Sequence, residues 1–388
     1  MQSIQIPKTG VEPRDYQSRV VKKTVELLKG QYKNGAGIVE PAARSVLIES
    51  PTGSGKTVMG HLVAKTLQQS DPDLVVGWVA MRRNLLSQAS KENQSLGIRV
   101  KNIHYVSMFD KEAAGLAQAR KAGKKILLIC DEAQHDAASS MTHLHNLIKP
   151  DFIVGLTATP FRTDSIKLVF DKVVKDTGIH QLIQDGYLAE FHHYSVQNWE
   201  PEQLADLYHE FSDRWGKSIF FMKNLNDCFK LQHCLLSHEI SSEVVTGSSD
   251  RERQLEWFRR GESTVLINCM VLTEGFNDPS LQSVFVRPSA KGPTIQMAGR
   301  ALRKYPALAS KNVIQCLETK HPFTKTAKPR RQYLLKNGQW LSLQINPKLN
   351  LCNQNARWSI ATTTIELPKF LTSKKLRSRR RLGGNLPN

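Results

Sequence analysis

The chain has 388 residues, too many for one typical hydrophobic core and enough for two domains of ordinary size with a tail. Hydrophobic residues make up 40% of the chain and charged residues 23%, ordinary globular values that exclude a wholly disordered protein. Lysine and arginine number 54 against 35 acidic residues, and the net charge of +19 favours a polyanionic partner such as nucleic acid over the alternative, a merely basic protein.

The sequence is expected to belong to a soluble, intracellular protein without a membrane partner. Its six cysteines include no C-x-x-C pair, which indicates reduced thiols. Residues 1–10 lack the apolar core of a signal peptide, and no stretch approaches the roughly 18 uncharged apolar residues of a membrane span. The pairs His143/His145 and His192/His193 have no cysteine or carboxylate at zinc-like spacing, so we interpret them as surface or packed histidines.

In the first half of the chain, short apolar runs alternate with amphipathic segments, which predicts alternating strands and helices. Uninterrupted apolar runs are typical of a parallel sheet that is covered on both faces, and they predict an α/β lobe over residues 1–185. The predicted strands are 44–48, 74–79, 126–130 and 152–156, and the predicted helices are 58–67 and 84–89.

The pattern starts again after 186–200, an irregular stretch before Pro201 that we interpret as a hinge. The second α/β lobe is predicted over 201–320, with strands at 218–222, 265–268 and 283–286 and helices at 225–236 and 251–259. Residues 321–388 are expected to form a short basic C-terminal extension that is partly disordered. Six of the nine residues 373–381 are basic, so this segment is either an arm that contacts phosphates or a solvated tail without a function.

A phosphate-binding loop is predicted between the first strand and the first of these helices. Its backbone N–H groups and the N-terminus of the helix would surround the phosphates. Lys56 would contact the β and γ phosphates, and Thr57 would ligate Mg²⁺. The general pattern has glycine where this chain has Ser50, a departure that leaves the other key positions intact. The loop residues are Pro51, Thr52, Gly53, Ser54, Gly55, Lys56 and Thr57.

Two carboxylates, Asp131 and Glu132, follow the apolar strand 126–130. Asp131 would hold Mg²⁺, and Glu132 would orient and deprotonate the water that attacks the γ phosphate. An Asp-Glu pair at a strand end is by itself usually a solvated corner. Together with the loop at Lys56, the pair predicts a site for ATP and Mg²⁺.

Asp-Glu-Ala-Gln-His at 131–135 resembles the DEAD/DEAH box of superfamily 2 helicases. Further motifs follow in the family's order at 80–85, 156–160, 272–279 and 296–303, so that the resemblance covers about residues 14–303. The strings at 183–188 and 286–289 resemble the branch of XPB, UvsW and Irc3 type enzymes. The resemblance implies two tandem RecA-like lobes with an ATP cleft between them.

The resemblance also implies roles for individual residues of the cleft. Arg300 and Arg303 would be arginine fingers that reach the phosphates across the cleft. Gln296 would lie near the γ phosphate and the attacking water. On the nucleotide itself, the family's motifs imply contacts from Arg14, Gln17, Gly275 and Asp278, with the Gln17 amide on the adenine edge.

On the nucleic-acid side, the family implies phosphate contacts with little base recognition, from Arg82, Arg83, Thr159, Thr246 and Gly247. Three residues would couple hydrolysis to strand movement, namely Gln134, Thr157 and Thr159. Gln134 stands where relatives have Asp or His, and Met81 stands where they often have Pro. Neither departure removes a metal ligand or the base, but both bear on coupling and subfamily.

The sequence therefore predicts an ATP-dependent helicase or translocase that moves along nucleic acid and unwinds or remodels it. The choice of DNA, branched or forked, over RNA rests only on the resemblance to the XPB, UvsW and Irc3 branch. The alternatives are an RNA helicase and an ATP-gated clamp that does not separate strands. Glu132, Arg300 and Arg303 argue against the clamp, because a pure switch could dispense with the hydrolytic base. The sequence identifies no protein partner.

Overall fold

Two sheets carry the fold of the computed structural model. The structure describes residues 4–135, 139–160, 168–269, 271–273 and 276–343. No helix within these ranges combines the length and the apolar character that crossing a membrane requires.

The first sheet has six strands in the order β3-β2-β4-β5-β1-β6, and each strand is parallel to its neighbours. All six carboxyl ends therefore lie at one edge, where the following loops meet. The strands are β1 Ser45–Glu49, β2 Val75–Ala80, β3 Ile103–Ser107, β4 Ile126–Asp131, β5 Phe152–Thr157 and β6 Lys172–Lys175. The helices of this half are α1 Asp15–Leu28, α2 Lys56–Ser70, α3 Arg83–Ser95, α4 Ala114–Lys121, α5 Ser139–Ile148 and α6 Ile179–Gln184.

Both faces of the first sheet are covered, which is why its strands β2, β4 and β5 are almost wholly apolar. On β4, Leu127 and Ile129 pack into the cluster formed with α1, α2 and α3. Ile126 and Leu128 point to the other face, into a cluster with α4 and α5. The first lobe thus has one core on each side of its sheet.

The second sheet has eight strands in the order β14-β13-β7-β12-β11-β8-β10-β9. Its strands are β7 Phe191–Val196, β8 Ser218–Phe221, β9 Ser242–Val245, β10 Val265–Asn268, β11 Ser283–Val286, β12 Lys311–Cys316, β13 Arg331–Lys336 and β14 Gln339–Leu343. The helices are α7 Pro201–Glu210, α8 Ser212–Trp215, α9 Leu225–Ser237, α10 Arg251–Arg260 and α11 Lys291–Ala298. Two buried clusters lie on its two faces. The predicted α/β fold with two tandem parallel-sheet lobes is confirmed.

The stretch 186–200 is not irregular as expected, because it contains β7. This strand pairs with β12 and β13 inside the second sheet. Two adjacent histidines interrupt its apolar pattern and conceal it in the sequence. The structure buries His193, whose Nε2 lies 3.0 Å from Gln315 Oε1, so that a polar residue is accommodated in a buried strand.

The first part of the expected basic extension, 321–388, also contributes to the second sheet, through β13 and β14. Tyr333 of β13 stacks on Tyr194 of β7 at 4.8 Å, and Trp340 of β14 packs edge-on against the same ring. Aromatic packing therefore fixes these strands to the sheet. Residues 344–388, including the predicted arm at 373–381, lie outside the described residues.

Candidate active site

The loop 51–57 follows β1 and leads into α2, at the carboxyl edge of the first sheet. Gly53 and Gly55 have φ angles of +81° and +79°, a region that residues with a Cβ adopt at a cost. A Cβ at Gly55 would also lie 2.5 Å from Gln17 Nε2. Glycine is therefore required here both for the backbone turn and for the close contact with α1.

Ser54 is the residue through which the rest of the first lobe holds this loop. Its carbonyl accepts hydrogen bonds from the Tyr16 hydroxyl at 2.6 Å and from Gln17 Nε2 at 2.8 Å. Its hydroxyl accepts from Ser50 Oγ at 2.8 Å. Serine at position 50, where the general pattern has glycine, thus contributes a buried hydrogen bond that closes the loop.

The start of α1 supplies the residues that were predicted to bind adenine. Gln17 is only 4% exposed, and its Oε1 accepts from the Arg14 backbone N–H while its Nε2 donates to the loop. The Arg14 guanidinium lies over the ring of Tyr187, 4.8 Å from its centroid. In this structure Gln17 positions the phosphate loop, and a contact with adenine stays a prediction.

Lys56, Asp131 and Glu132 form a charged group at the ends of β1 and β4. Burial lowers the pKa of Lys56, and the nearby Arg300 and Arg303 lower it further, while Glu132 and Asp131 act in the opposite direction. Burial, followed by the charge of Glu132, raises the pKa of Asp131 to about 7. Two carboxylates crowded beside one lysine form an environment that a divalent cation stabilises.

Glu132 has a φ of +55°, an uncommon value for a residue with a side chain. Such strain persists where the surroundings hold it, and it is concentrated at functional sites. Here the Glu132 carboxylate accepts a hydrogen bond from Gln134 Nε2 at 3.0 Å. The unusual backbone and this bond together fix the direction of the carboxylate.

From Gln134, hydrogen bonds continue into the second lobe. The Thr157 hydroxyl donates to Gln134 Oε1 at 2.7 Å, and the Thr159 backbone N–H donates to Thr157 Oγ1 at 3.0 Å. Gln296 Nε2 of α11 then donates to Thr159 Oγ1 at 3.3 Å. A series of hydrogen bonds therefore connects Glu132 to the second lobe.

Arg300 and Arg303 lie just beyond α11, which ends at Ala298 with Gly299 as its C-cap. Both guanidinium groups donate to the carbonyl of Phe276 at 3.1 Å. Burial, followed by the charge of Arg300, lowers the pKa of Arg303 to about 10. Arg300 is buried and Arg303 half-buried, so two like charges lie close together at one backbone carbonyl, an arrangement that a bound anion would stabilise.

The residues present fit a nucleoside triphosphate with its cation. Asp278 is 7% exposed; its Oδ1 accepts from Ser280, whereas its Oδ2 is a buried acceptor to which none of the described residues donates a hydrogen bond. A nucleotide hydroxyl is a donor of the kind that such an oxygen requires. The positive charges of Lys56, Arg300 and Arg303 match the phosphates.

The two lobes are in contact around this site. A Cβ at Gly299 would lie 3.1 Å from the Cβ of Thr52, and a Cβ at Gly53 would lie 3.7 Å from Arg303 Cγ. Farther along the edge, Arg82 Nη1 donates to the carbonyl of Val271 at 2.8 Å. The end of α11 thus lies against the phosphate loop.

The residues that were predicted to contact nucleic acid are placed in different environments. Arg83 is exposed at the start of α3, and Gly247 is exposed beside the half-buried Thr246 after β9. Arg82 is half-buried against the second lobe, and Thr159 is 8% exposed within the hydrogen-bonded chain. Gly275 lies outside the described residues.

Several residues of the site were not found from the sequence. Tyr16 and Tyr187 meet edge to face at 5.4 Å beside the phosphate loop, and Lys311 is fully buried behind Asp278. The motif Arg14 to Gln17 contained Tyr16, and the string 183–188 contained Tyr187, but neither pattern shows that the two rings meet. No sequence pattern around Lys311 indicates that it lies near the site.

Three curated proteins are similar to this chain over part of its length. Identity is 27% over 218 residues to "Putative ATP-dependent helicase IRC3" of Saccharomyces cerevisiae, covering 46% of this chain and 32% of that protein. Identity is 25% over 316 residues to "Putative mitochondrial ATP-dependent helicase irc3" of Schizosaccharomyces pombe, covering 67% and 52%. Identity is 26% over 331 residues to "Putative DNA 3'-5' helicase Rad25" of Haloarcula marismortui, covering 75% of this chain and 50% of that protein. The chain spans a third to a half of the length of these relatives.

Solved structures with the same fold include two proteins bound to nucleic acid. The Type ISP restriction-modification enzyme LlaBIII bound to DNA has a TM-score of 0.57 at 15% identity, covering 80% of this chain and 28% of that one. Saccharomyces cerevisiae Dbp5 bound to RNA and ADP BeF3 has a TM-score of 0.55 at 18% identity, covering 84% and 90%. At these identities the likeness concerns the fold.

A phosphate loop in one parallel-sheet lobe, faced by Arg300 and Arg303 from a second lobe, defines a two-lobed P-loop nucleotide-binding protein. The family model described as "Type III restriction enzyme, res subunit" matches residues 10–111 and 100–162, and "Helicase conserved C-terminal domain" matches 200–305. The chain belongs to the superfamily 2 helicases, and among them it is similar to the Irc3 proteins.

Proposed function

We propose that this chain is a nucleic-acid-stimulated ATPase that uses hydrolysis to move along DNA and to unwind or remodel it. One observation carries the proposal. Arg303 of the second lobe lies against Gly53 of the phosphate loop, near enough for the charges of Arg300 and Arg303 to act on Lys56 beside Asp131 and Glu132. Such a site is complete only when both lobes are together, which is the arrangement that a motor needs.

On the first lobe, Lys56 and the N–H groups of the loop bind the β and γ phosphates. Thr57 and Asp131 hold Mg²⁺, which when bound neutralises charge on the phosphate oxygens. Glu132 orients the attacking water and accepts its proton, and its fixed carboxylate suits that role.

On the second lobe, Arg300 and Arg303 stabilise the charge that develops during transfer, a contribution on the order of 10³ to 10⁵ in rate. Gln296 lies near the γ phosphate, and Asp278 accepts a hydrogen bond from the nucleotide through its buried Oδ2. The chain from Glu132 through Gln134, Thr157 and Thr159 to Gln296 supports coupling, because loss of the γ phosphate alters both of its ends.

DNA is the proposed track because one relative carries the name of a DNA 3'-5' helicase. The net charge of +19 suits binding through phosphates, with Arg83 and the turn at Thr246 and Gly247 as contacts. Dbp5 bound to RNA has the same fold, so RNA belongs in the test.

The test is phosphate release by the purified chain with single-stranded DNA, duplex DNA, forked DNA or RNA, across a range of salt concentrations. We expect stimulation by DNA that falls as salt rises, and no stimulated turnover in Glu132→Gln. Stimulation by RNA alone would replace DNA as the track. Tight binding without stimulated turnover would favour the ATP-gated clamp, and neither binding nor turnover would reject the motor.

A further inference from the structure

The turn at residues 278–281 carries Asp278, whose carboxylate is held through one of its two oxygens. Oδ1 accepts hydrogen bonds from the Ser280 backbone N–H at 2.9 Å and from the Ser280 hydroxyl at 2.6 Å. The backbone N–H of Leu281 donates to the Asp278 carbonyl at 3.3 Å. Oδ2 is left as the buried acceptor to which none of the described residues donates. The orientation of this oxygen therefore depends on the shape of the turn.

Lys311 supports this turn from inside the second lobe. Its side chain is fully buried, and its Nζ donates to the carbonyls of Pro279 at 2.7 Å and Leu281 at 2.6 Å. These two carbonyls lie on either side of Ser280, the residue that binds Asp278 Oδ1. One ammonium group thus fixes the backbone on both sides of the residue that holds the carboxylate.

The position of this ammonium is set by the second sheet. Lys311 is the first residue of β12, which pairs in parallel with β11 on one side and with β7 on the other. Its backbone N–H donates to the carbonyl of Glu190 at 2.9 Å. Because β12 is held on both sides, the turn bound by Lys311 keeps a fixed place relative to the sheet.

The charge of Lys311 suits this location as well as its length does. Burial lowers its pKa to about 8, while the charge of Asp278 acts in the opposite direction, so the ammonium and the carboxylate are close enough to interact. A buried ammonium is costly, and an apolar side chain would be the less costly occupant of a buried strand position. The presence of lysine here indicates a role for its hydrogen bonds to the turn.

The arginines of the site bind the other end of the segment that contains Asp278. Arg300 and Arg303 both donate to the carbonyl of Phe276 at 3.1 Å, two residues before Asp278. Asp278 therefore lies between the groups assigned to the phosphates and the lysine that holds the turn. Because a hydrogen bond weakens steeply when it is misaligned, a shift of the turn would cost Oδ2 its contact with a bound nucleotide.

We propose that Lys311 is a positioning residue for the sugar of the nucleotide. It holds the turn so that Asp278 Oδ2 accepts a hydrogen bond from a ribose hydroxyl, and it does not contact the nucleotide itself. The inference rests on the proposed function, since it needs a nucleotide bound beside Asp278, and it extends that function to the recognition of a sugar that bears hydroxyls.

The test compares ATP with 2′,3′-dideoxy-ATP, which lacks both ribose hydroxyls. Binding of each nucleotide with Mg²⁺ is measured by isothermal titration calorimetry on the full chain in the Glu132→Gln background, in which hydrolysis is blocked. The ratio of the two Kd values measures the preference for the hydroxyls. We expect a preference of about tenfold for ATP in this background, the effect of one hydrogen bond to a charged group.

Addition of Lys311→Met should bring the ratio close to one by weakening ATP alone, because the analogue has no hydroxyl to lose. A purely structural loss would weaken both nucleotides alike. Any change of sugar pucker in the analogue affects every variant equally and cancels when ratios are compared. Lys311→Gln, which has a polar but shorter side chain without the ammonium, is the second variant and should also lower the ratio if Lys311→Met fails to fold.

Asp278→Ala removes the acceptor and should lower the ratio as far as Lys311→Met does. Lys336→Met, at an exposed position on β13, is the matched control and should keep the ratio of the background. If the folded Lys311 variant weakens both nucleotides by the same factor, or weakens neither, the inference is wrong.

A background without any preference, or an Asp278→Ala variant that keeps it, would show that Asp278 binds no ribose hydroxyl and would also overturn the inference. DNA-stimulated phosphate release would in that case leave the motor intact. Binding of neither nucleotide would reject the proposed function itself.

Discussion

Gln134 donates a hydrogen bond from its amide to the carboxylate of Glu132, with 3.0 Å between Nε2 and Oε2. In the helicases whose motif this one resembles, Asp or His occupies that position. A neutral amide adds no charge beside the base, and it supplies a donor that orients the carboxylate. The departure from the motif thus preserves the base while it maintains the connection to Thr157.

Replacement of Gln134 by Glu should lower the kcat of DNA-stimulated phosphate release about 10- to 100-fold, with little change in the KM for ATP. The new carboxylate would repel Glu132 and remove the donor that orients it. Gln134→His, which retains a donor, should keep most of the activity. The exposed Gln94→Glu is the control, and equal activity of Gln134→Glu and wild type would refute a role in orienting the base.

Arg300→Gln and Arg303→Gln should each lower kcat by roughly 10³-fold, because each removes a buried charge that faces the phosphates. Lysine should not restore activity at either position, since it lacks the planar pair of donors. Steady-state phosphate release measures both effects. Arg260→Gln, at an exposed position on α10, should behave as wild type. A loss below tenfold at both arginines would show that neither acts on the transferred phosphate.

The strands that the sequence predicted were those buried on both faces. Val265–Asn268 and Ser283–Val286 were predicted to the residue, because each is a short run that is wholly apolar or nearly so. Strand β12 was missed since it begins with Lys311 and Asn312, which the structure buries and satisfies with hydrogen bonds. A prediction that takes polar residues to be exposed does not detect a buried strand that contains them.

The residues of the candidate site also divide into those that the sequence predicted and those that it did not. The loop at Lys56 and the pair Asp131 and Glu132 have local spacing that reflects their chemistry, so the sequence was enough to propose them. The bond from Arg82 to Val271 spans 189 residues, and no local pattern encodes it. Arg82 was expected to contact phosphate alone; its second partner required the relative position of the lobes.

Gly60→Ala should destabilise the first lobe, because α2 approaches the sheet closely at this glycine. A Cβ there would lie 2.9 Å from Trp78 Cη2 and 3.0 Å from Leu156 Cδ1, both in the core. Overpacking of this kind costs about 1 to 3 kcal/mol. Gly35→Ala is a matched control, since nothing lies within 4 Å of its Cβ. Urea unfolding should give a lower midpoint for Gly60→Ala only, and equal midpoints would contradict the close packing.

Lys311 is the group whose ionisation should make stability depend on pH. It is fully buried, its Nζ donates to the carbonyls of Pro279 and Leu281 at 2.7 and 2.6 Å, and the ring of Tyr305 lies 5.9 Å away. Burial lowers its pKa from 10.5 to about 8, against the opposing charge of Asp278. The folded chain therefore releases this proton at a lower pH than the unfolded chain.

Between pH 8 and pH 10.5 the unfolded chain holds more protons on this lysine than the folded chain, so its contribution to stability rises with pH across that window. The free energy of unfolding in urea, measured from pH 7 to pH 10, should rise for wild type relative to Lys311→Met. Because the methionine variant also leaves two carbonyls without a donor, the slope of the difference against pH is decisive and its absolute value is not. Lys336→Met, at an exposed position on β13, should run parallel to wild type. A Lys311→Met profile that is also parallel to wild type would show that the buried amine keeps its proton up to pH 10, as it does in the unfolded chain.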